Sequence, residues 1–198
     1  MNNGEAMYAP KNHDWVDWED LLDTADMDLE IDQFLCEKLF SLRDLEKATG
    51  VSKSQISLSM RRCEDIGLLK SDRKTLLPKV NTQGLSEFVY YGLKYVFPAK
   101  PGEITRGIAT GISSPVLEGK LFSSGETPWV WPYGMGKTKG QSILPIYKTV
   151  PFAVKKDPML YALLALVDSI RIGNNRERKF AFEVFQSIMK REGKEFYE

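Results

Sequence analysis

Side chains able to read a nucleic acid gather in one short stretch. Lys53, Ser54, Gln55, Ser57 and Arg61 fall on the outer arc of a helix once Ile56, Met60 and Cys63, at i, i+4 and i+7, are given its inner face. Gln55 carries the donor and acceptor pair that matches adenine, and Lys53 or Arg61 can meet guanine or a phosphate. Lys70, Arg73 and Lys74 follow as a second basic group, suited to phosphates or to the minor groove. This is recognition chemistry, made of hydrogen bonds and charge.

Bond-making chemistry has no comparable constellation. The one histidine, His13, stands far from any serine or cysteine pattern that would need it as a base. The two cysteines, Cys36 and Cys63, lack the spacing of zinc ligands and suit reduced thiols in a cytoplasm. Gly136-Lys137-Thr138 copies the end of a phosphate-binding loop, but the glycine required five residues earlier is Trp131. The expectation is a protein that is no enzyme and holds no cofactor and no metal.

The elements that must position the reading side chains are legible on either side. Ser41 to Thr49 is a short helical pattern with Leu42, Leu45 and Ala48 on one face. Ser41 with Asp44, and Ser52 with Gln55, have the spacing of reciprocal N-terminal caps. Gly50 stands between the two helices as a turn, and Gly67 stands where a left-handed residue would end the second, over 52–66. Leu68-Leu69-Lys70 and Thr75 to Val80 then read as two short strands around a polar turn, with Pro78 restricting the second to an edge.

Helix, turn, helix and basic-tipped hairpin make a winged helix-turn-helix. Leu42 to Val80, about a fifth of the chain, resembles the DNA-binding core of bacterial MarR-like regulators. The resemblance rests on Leu45-x-x-Ala48-Thr49-Gly50-Val51-Ser52, Ile56-Ser57, Met60, Glu64 and Ile66-Gly67-Leu68-Leu69. It implies a cytoplasmic transcriptional regulator, a repressor acting as a homodimer on double-stranded DNA. Helix 52–66 would read the major groove and wing 70–74 the phosphates. Where the family often has arginine after the residue at 57, this chain has Leu58, which suits contact with a thymine methyl.

Charge is distributed unevenly around this core. Residues 1–40 hold 2 basic against 11 acidic side chains, whereas residues 41–80 hold 9 against 5 and residues 81–156 hold 9 against 4. A basic centre behind a neutral average suits a polyanion. Four parts are expected: an acidic arm over 1–27, the winged domain over 28–96, a wrapping segment over 97–157 and a helical hairpin over 158–192. The arm interleaves Trp15, Trp18 and Leu22 with acids, and Ile31, Phe34, Leu35 and Leu39 give the winged domain a first helix. Asn81 caps a further helix reaching about Val96.

The segment 97–157 holds seven of the ten prolines and eight of the fifteen glycines, so it reads as extended chain, with one short helix near 114–121. Its apolar residues need cover, from the chain itself or from a partner protein. Trp129, Trp131 and Tyr133 are the candidate anchors for such a partner, against the alternative of packing within the chain. Asp157-Pro158 starts a helix that ends near Gly173, and a turn at Asn174-Asn175 leads to a second, apolar over more than half its circumference. That excess suggests a dimer seam.

The fold class is therefore mainly α, with a hairpin wing, a Pro/Gly-rich middle and a C-terminal helical hairpin. No apolar run approaches a membrane span. The competing function is a protein-binding module, antitoxin-like, whose middle segment and acidic arm hold a partner.

Overall fold

The computed structural model describes residues 41–71, 78–119 and 127–195. The acidic arm, the helix expected before Phe40, and Arg73 and Lys74 at the hairpin tip lie outside them. The described chain is helix-rich, with a small antiparallel two-stranded sheet and a C-terminal pair of helices. Among the described residues no helix is long and apolar enough to cross a membrane.

Helix α1 (Leu42–Thr49) begins where Ser41 accepts the Asp44 N–H and ends at Gly50, whose φ of 68° is left-handed. Helix α2 (Lys53–Asp65) follows after three residues, Gly50 to Ser52, and Gly67, at φ 72°, turns the chain into β1 (Leu69–Ser71). Strand β2 (Pro78–Val80) pairs back in antiparallel register, with Lys70 opposite Lys79 and Ser71 opposite Pro78. Asn81 then closes the unit. Its amide donates to Gly67 O at 3.0 Å and its carbonyl accepts from Gly84 N at 3.1 Å.

Helix α3 runs without a break through Thr82–Glu87, Phe88–Gly92 and Leu93–Val96. Its middle turn is wide, because the Leu93 N–H reaches back five residues to Phe88 O. An added residue in one turn rotates the faces on either side of it. Val89 and Leu93 point into the core, while Tyr91 and Tyr95 are left in solvent.

The Pro/Gly-rich middle differs from the expected wrap. It forms three paired strands, β3 (Pro101–Thr110), β4 (Trp129–Pro132) and β5 (Thr138–Ile143), closed on one another. The second half of β3 pairs with β4 and the first half with β5, both antiparallel, and β4 meets the end of β5 in parallel. Glycines permit the closure. A methyl on Gly107 would lie 2.0 Å from Trp131 O, one on Gly136 2.2 Å from Gly107 O, and one on Gly140 2.2 Å from Pro128 O. Only a hydrogen fits at those distances. Prolines 101 and 132 stand at strand ends, where a missing N–H costs no ladder bond. The helix expected near 114–121 is replaced by two short turns, Gly111–Ser113 and Pro115–Leu117.

A short helix α4 (Val150–Ala153) leads to α5 (Pro158–Ile172) and α6 (Asn175–Glu195). Asp157 caps α5 through the Leu160 N–H at 2.9 Å. Asn174 and Glu177 form a reciprocal cap on α6, each side chain taking a backbone N–H of the other's end. The central helix is α5, buried on nearly every side, as an all-round apolar helix must be. Tyr161 and Ala165 meet Ile108, Trp131, Tyr133 and Val154 on the strand side. Leu166, Val167 and Ile170 meet Val89, Leu93, Ala181 and Phe185 on the helix side.

The apolar face of α6 is covered in part within the chain: Ala181 and Phe185 are buried, and Phe180, Phe182, Val184, Ile188 and Met189 are half-buried. α5 lies against one part of it and α3 against another, where the Phe182 and Tyr90 rings stand 4.4 Å apart. The circumference that suggested a dimer seam thus has two partners of its own.

Candidate nucleic-acid interface

Lys53, Ser54, Gln55, Ser57 and Arg61, the side chains expected to read DNA, sit on α2, and its position is set by contacts outside the helix. The left-handed Gly50 lets α1 and α2 cross, and a methyl there would stand 3.0 Å from the Phe152 ring. Lys156 Nζ donates to Lys47 O at the end of α1, at 2.8 Å. The helix pair therefore lies against residues 149–156, with the Phe152 ring beside Gly50 and a charge-assisted bond from Lys156.

The start of α2 departs from expectation. Ser52 makes no cap on the helix; its hydroxyl lies 3.2 Å from that of Ser54, and the Lys53 N–H goes to Glu46 Oε1 at 3.3 Å. A carboxylate from α1 has taken the capping role, which ties the two helices together and leaves Gln55 out of any box. Gln55 is exposed as a result.

Lys53, Ser54 and Arg61 are also exposed, and Ser57 is half-buried. They are not equally available. Lys53 Nζ lies 3.6 Å from Glu46 Oε2, so its charge is shared. Arg62 folds back on its own helix, to Leu58 O and the Ser59 hydroxyl. Arg61 makes no hydrogen bond or ion pair among the described residues. Leu58 is 51% exposed between them, an apolar side chain in the middle of a polar arc. Only Ile56 of α2 is buried.

Strand pairing adds a residue that spacing alone did not reveal. Lys79 stands directly opposite Lys70, so both extend from one face of the hairpin. Like charges directly opposite on paired strands repel. Only the pairing register exposes this, since Lys79 lies nine positions away and follows a proline.

The anchors considered for a protein partner are placed differently. Trp131 is 1% exposed and Tyr133 is buried, so neither can meet another protein, while Trp129 is half-buried. Trp131 instead donates from Nε1 to Asp168 Oδ2 at 2.6 Å, and the Thr110 hydroxyl donates to the same oxygen at 2.9 Å. Arg171 Nη1 meets Asp168 Oδ1 at 2.5 Å and Arg171 Nε donates to Phe97 O at 2.9 Å. Burial pushes the Asp168 carboxyl above its ordinary range; the Arg171 charge and the Thr110 and Trp131 donors pull the other way. The group joins α5, β3, β4 and the end of α3. Both carboxylate oxygens of Asp168 have donors from within the chain, so the group ties these elements together.

Gly136-Lys137-Thr138 serves the strands, because Gly136, two residues before β5, is where the chain passes against Gly107 of β3. Among the described residues no three His, Cys, Asp or Glu side chains gather as metal ligands. Comparison with family models, curated proteins and solved structures returns no match.

Proposed function

We propose that this chain binds duplex DNA sequence-specifically and regulates transcription through a winged helix-turn-helix spanning α1, α2 and the β1–β2 hairpin. The observation that carries the reading is the outer arc of α2. It is polar and basic, it is exposed, and it stands on a helix pair fixed by a left-handed glycine and followed at once by a hairpin with two lysines on one face. A helix so mounted can lay Gln55, Ser57 and Arg61 along base edges while Lys70 and Lys79 meet phosphates. Two copies would be needed to read a two-fold site.

Binding to duplex DNA upstream of the gene, followed across a salt series, tests the proposal. Arg61→Ala should cost about 1–3 kcal/mol on the preferred sequence and flatten sequence preference. Lys70→Ala should weaken every duplex alike and reduce the salt slope by about one. Absence of salt-sensitive binding by the unaltered protein would end this reading.

A protein-binding role has one observation in its favour. Tyr91, Tyr95 and Val96 are 66%, 73% and 58% exposed on α3, a cluster of large side chains in solvent. Aromatic side chains of this kind anchor interfaces. Sedimentation of the protein alone, with Tyr91→Ser and Tyr95→Ser as controls, separates a second copy from a different partner.

A further inference from the structure

Helix α3 carries one stripe that stays in solvent. Gln83, Glu87, Tyr91 and Tyr95 recur every four residues, and all four are exposed. In a regular helix each such step drifts by about 40°, so the stripe would wind around the axis. The wide turn over Phe88–Gly92 puts more residues into one turn and sets part of that drift back. Wide turns of this kind recur at functional sites. Ser86, Val89 and Leu93 take the other side of the helix and are buried.

Chemistry along the stripe is ordered. Glu87 stands toward one end, Lys94 and Tyr95 toward the other, and Tyr91 between them. Glu87 Oε1 accepts from the neutral Gln83 amide at 3.0 Å, and Lys94 Nζ lies 4.7 Å from the centre of the Tyr95 ring. Neither charge makes an ion pair among the described residues. The Tyr91 ring stands edge-on to Tyr90, with centres 4.9 Å apart, and Tyr90 rests on Phe182. A ring braced from behind loses little freedom when another surface covers its front.

We infer that this stripe is the contact between two copies of the chain, with their α3 helices antiparallel about a two-fold axis beside Tyr91. In such a contact each copy offers the same patch to the other. Glu87 of each then faces Lys94 of the other, and the two Tyr91 rings meet near the axis. A parallel pair would set Glu87 beside Glu87, which like charge opposes. The occupant follows from the pattern, because acid, ring and base in that order complement their own reversed copy. Tyrosine at the centre of an interface is a frequent anchor. The contact supplies the second copy that the DNA-binding reading calls for, yet it stands or falls without DNA.

Sedimentation of the full chain without DNA is the test, with charge reversals as the deciding variants. The unaltered protein should be a dimer at about 100 μM, where even weak pairs form. Glu87→Lys and Lys94→Glu should each weaken the dimer about tenfold or more, because each sets like charges together at both contacts. Mixed in equal amounts, the two variants should pair again, since both contacts then join opposite charges. Recovery on mixing also shows that both chains are folded. Tyr91→Ser should weaken the dimer by a similar factor. A monomeric unaltered protein, a dimer that ignores the reversals, or variants that stay apart on mixing would each overturn the inference. A dimer that forms as described but binds no duplex removes the DNA-binding reading and leaves the interface standing.

Discussion

Arg171→Met separates the two forces acting on the buried Asp168. The Arg171 and Asp168 side chains are 3% and 2% exposed, and the ion pair is 2.5 Å long. Removing one member of such a pair strands the other charge in the interior, at about 3–5 kcal/mol. For a domain of this size that is on the order of 6–20 °C in Tm. The methionine keeps the length of the side chain, so lost packing adds little, although the bond to Phe97 O goes too.

The pH dependence is the sharper signature. Burial already raises the Asp168 carboxyl, and Arg171 is the first of the influences opposing it. Without the guanidinium the carboxyl rises further. A carboxyl raised in the folded state binds more protons there than in the unfolded chain, so its stabilising contribution is complete below the unfolded value and is lost as pH rises through the folded value. The deficit of Arg171→Met relative to the unaltered protein should therefore be largest near pH 8 and shrink toward pH 5. Urea unfolding followed by tryptophan fluorescence reports it, since Trp131 contacts the carboxylate. Asp168→Asn, which has no proton to bind, should lose stability with no such pH trend. A deficit below about 1 kcal/mol, or one independent of pH, would refute the assignment of Asp168 as a charged, pair-stabilised group.

Other consequences concern the glycines and the interface. Gly107→Ala places a methyl 2.0 Å from Trp131 O, a backbone atom that cannot swing aside, so strand closure should fail and stability should drop by more than about 4 kcal/mol in thermal melts. Gly50→Ala imposes a left-handed alanine at φ 68° against the Phe152 ring; about 1–2 kcal/mol should be lost, and adding Phe152→Leu should recover the steric part only. Arg61→Ala should leave melting unchanged within about 0.5 kcal/mol, because Arg61 is exposed, so its effect on DNA would be a recognition effect.

Local interactions were the legible part of this chain. The Ser41 cap, the left-handed Gly50 and Gly67, the Asn81 and Asp157 caps and the Asn174 turn depend on residues within a few positions of one another. Residue type and spacing therefore determined where helices start and stop, where the hairpin lies, and which arc of α2 faces outward. Reading failed where a partner came from elsewhere: Glu46 displaced the Ser52 cap, and Lys79 joined Lys70 only through strand register.

The middle segment shows the limit most clearly. Glycine and proline there signalled extended chain, because their local effect is to break regular structure. Their tertiary effect is the reverse. Gly107, Gly136 and Gly140 remove the side chains that would keep β3, β4 and β5 apart, a fact visible only when 107 meets 131 and 136. Residue type favoured packing of Trp131 within the chain over a partner but named no contact, until Asp168, 37 positions on, and Thr110, 58 positions before Asp168, were brought to one carboxylate. The sequence by itself determined the helices, the turns and the outward arc of α2, because those follow from neighbours along the chain. Tertiary structure alone decided the closed strands and the buried aspartate, because each depends on close approach between distant segments.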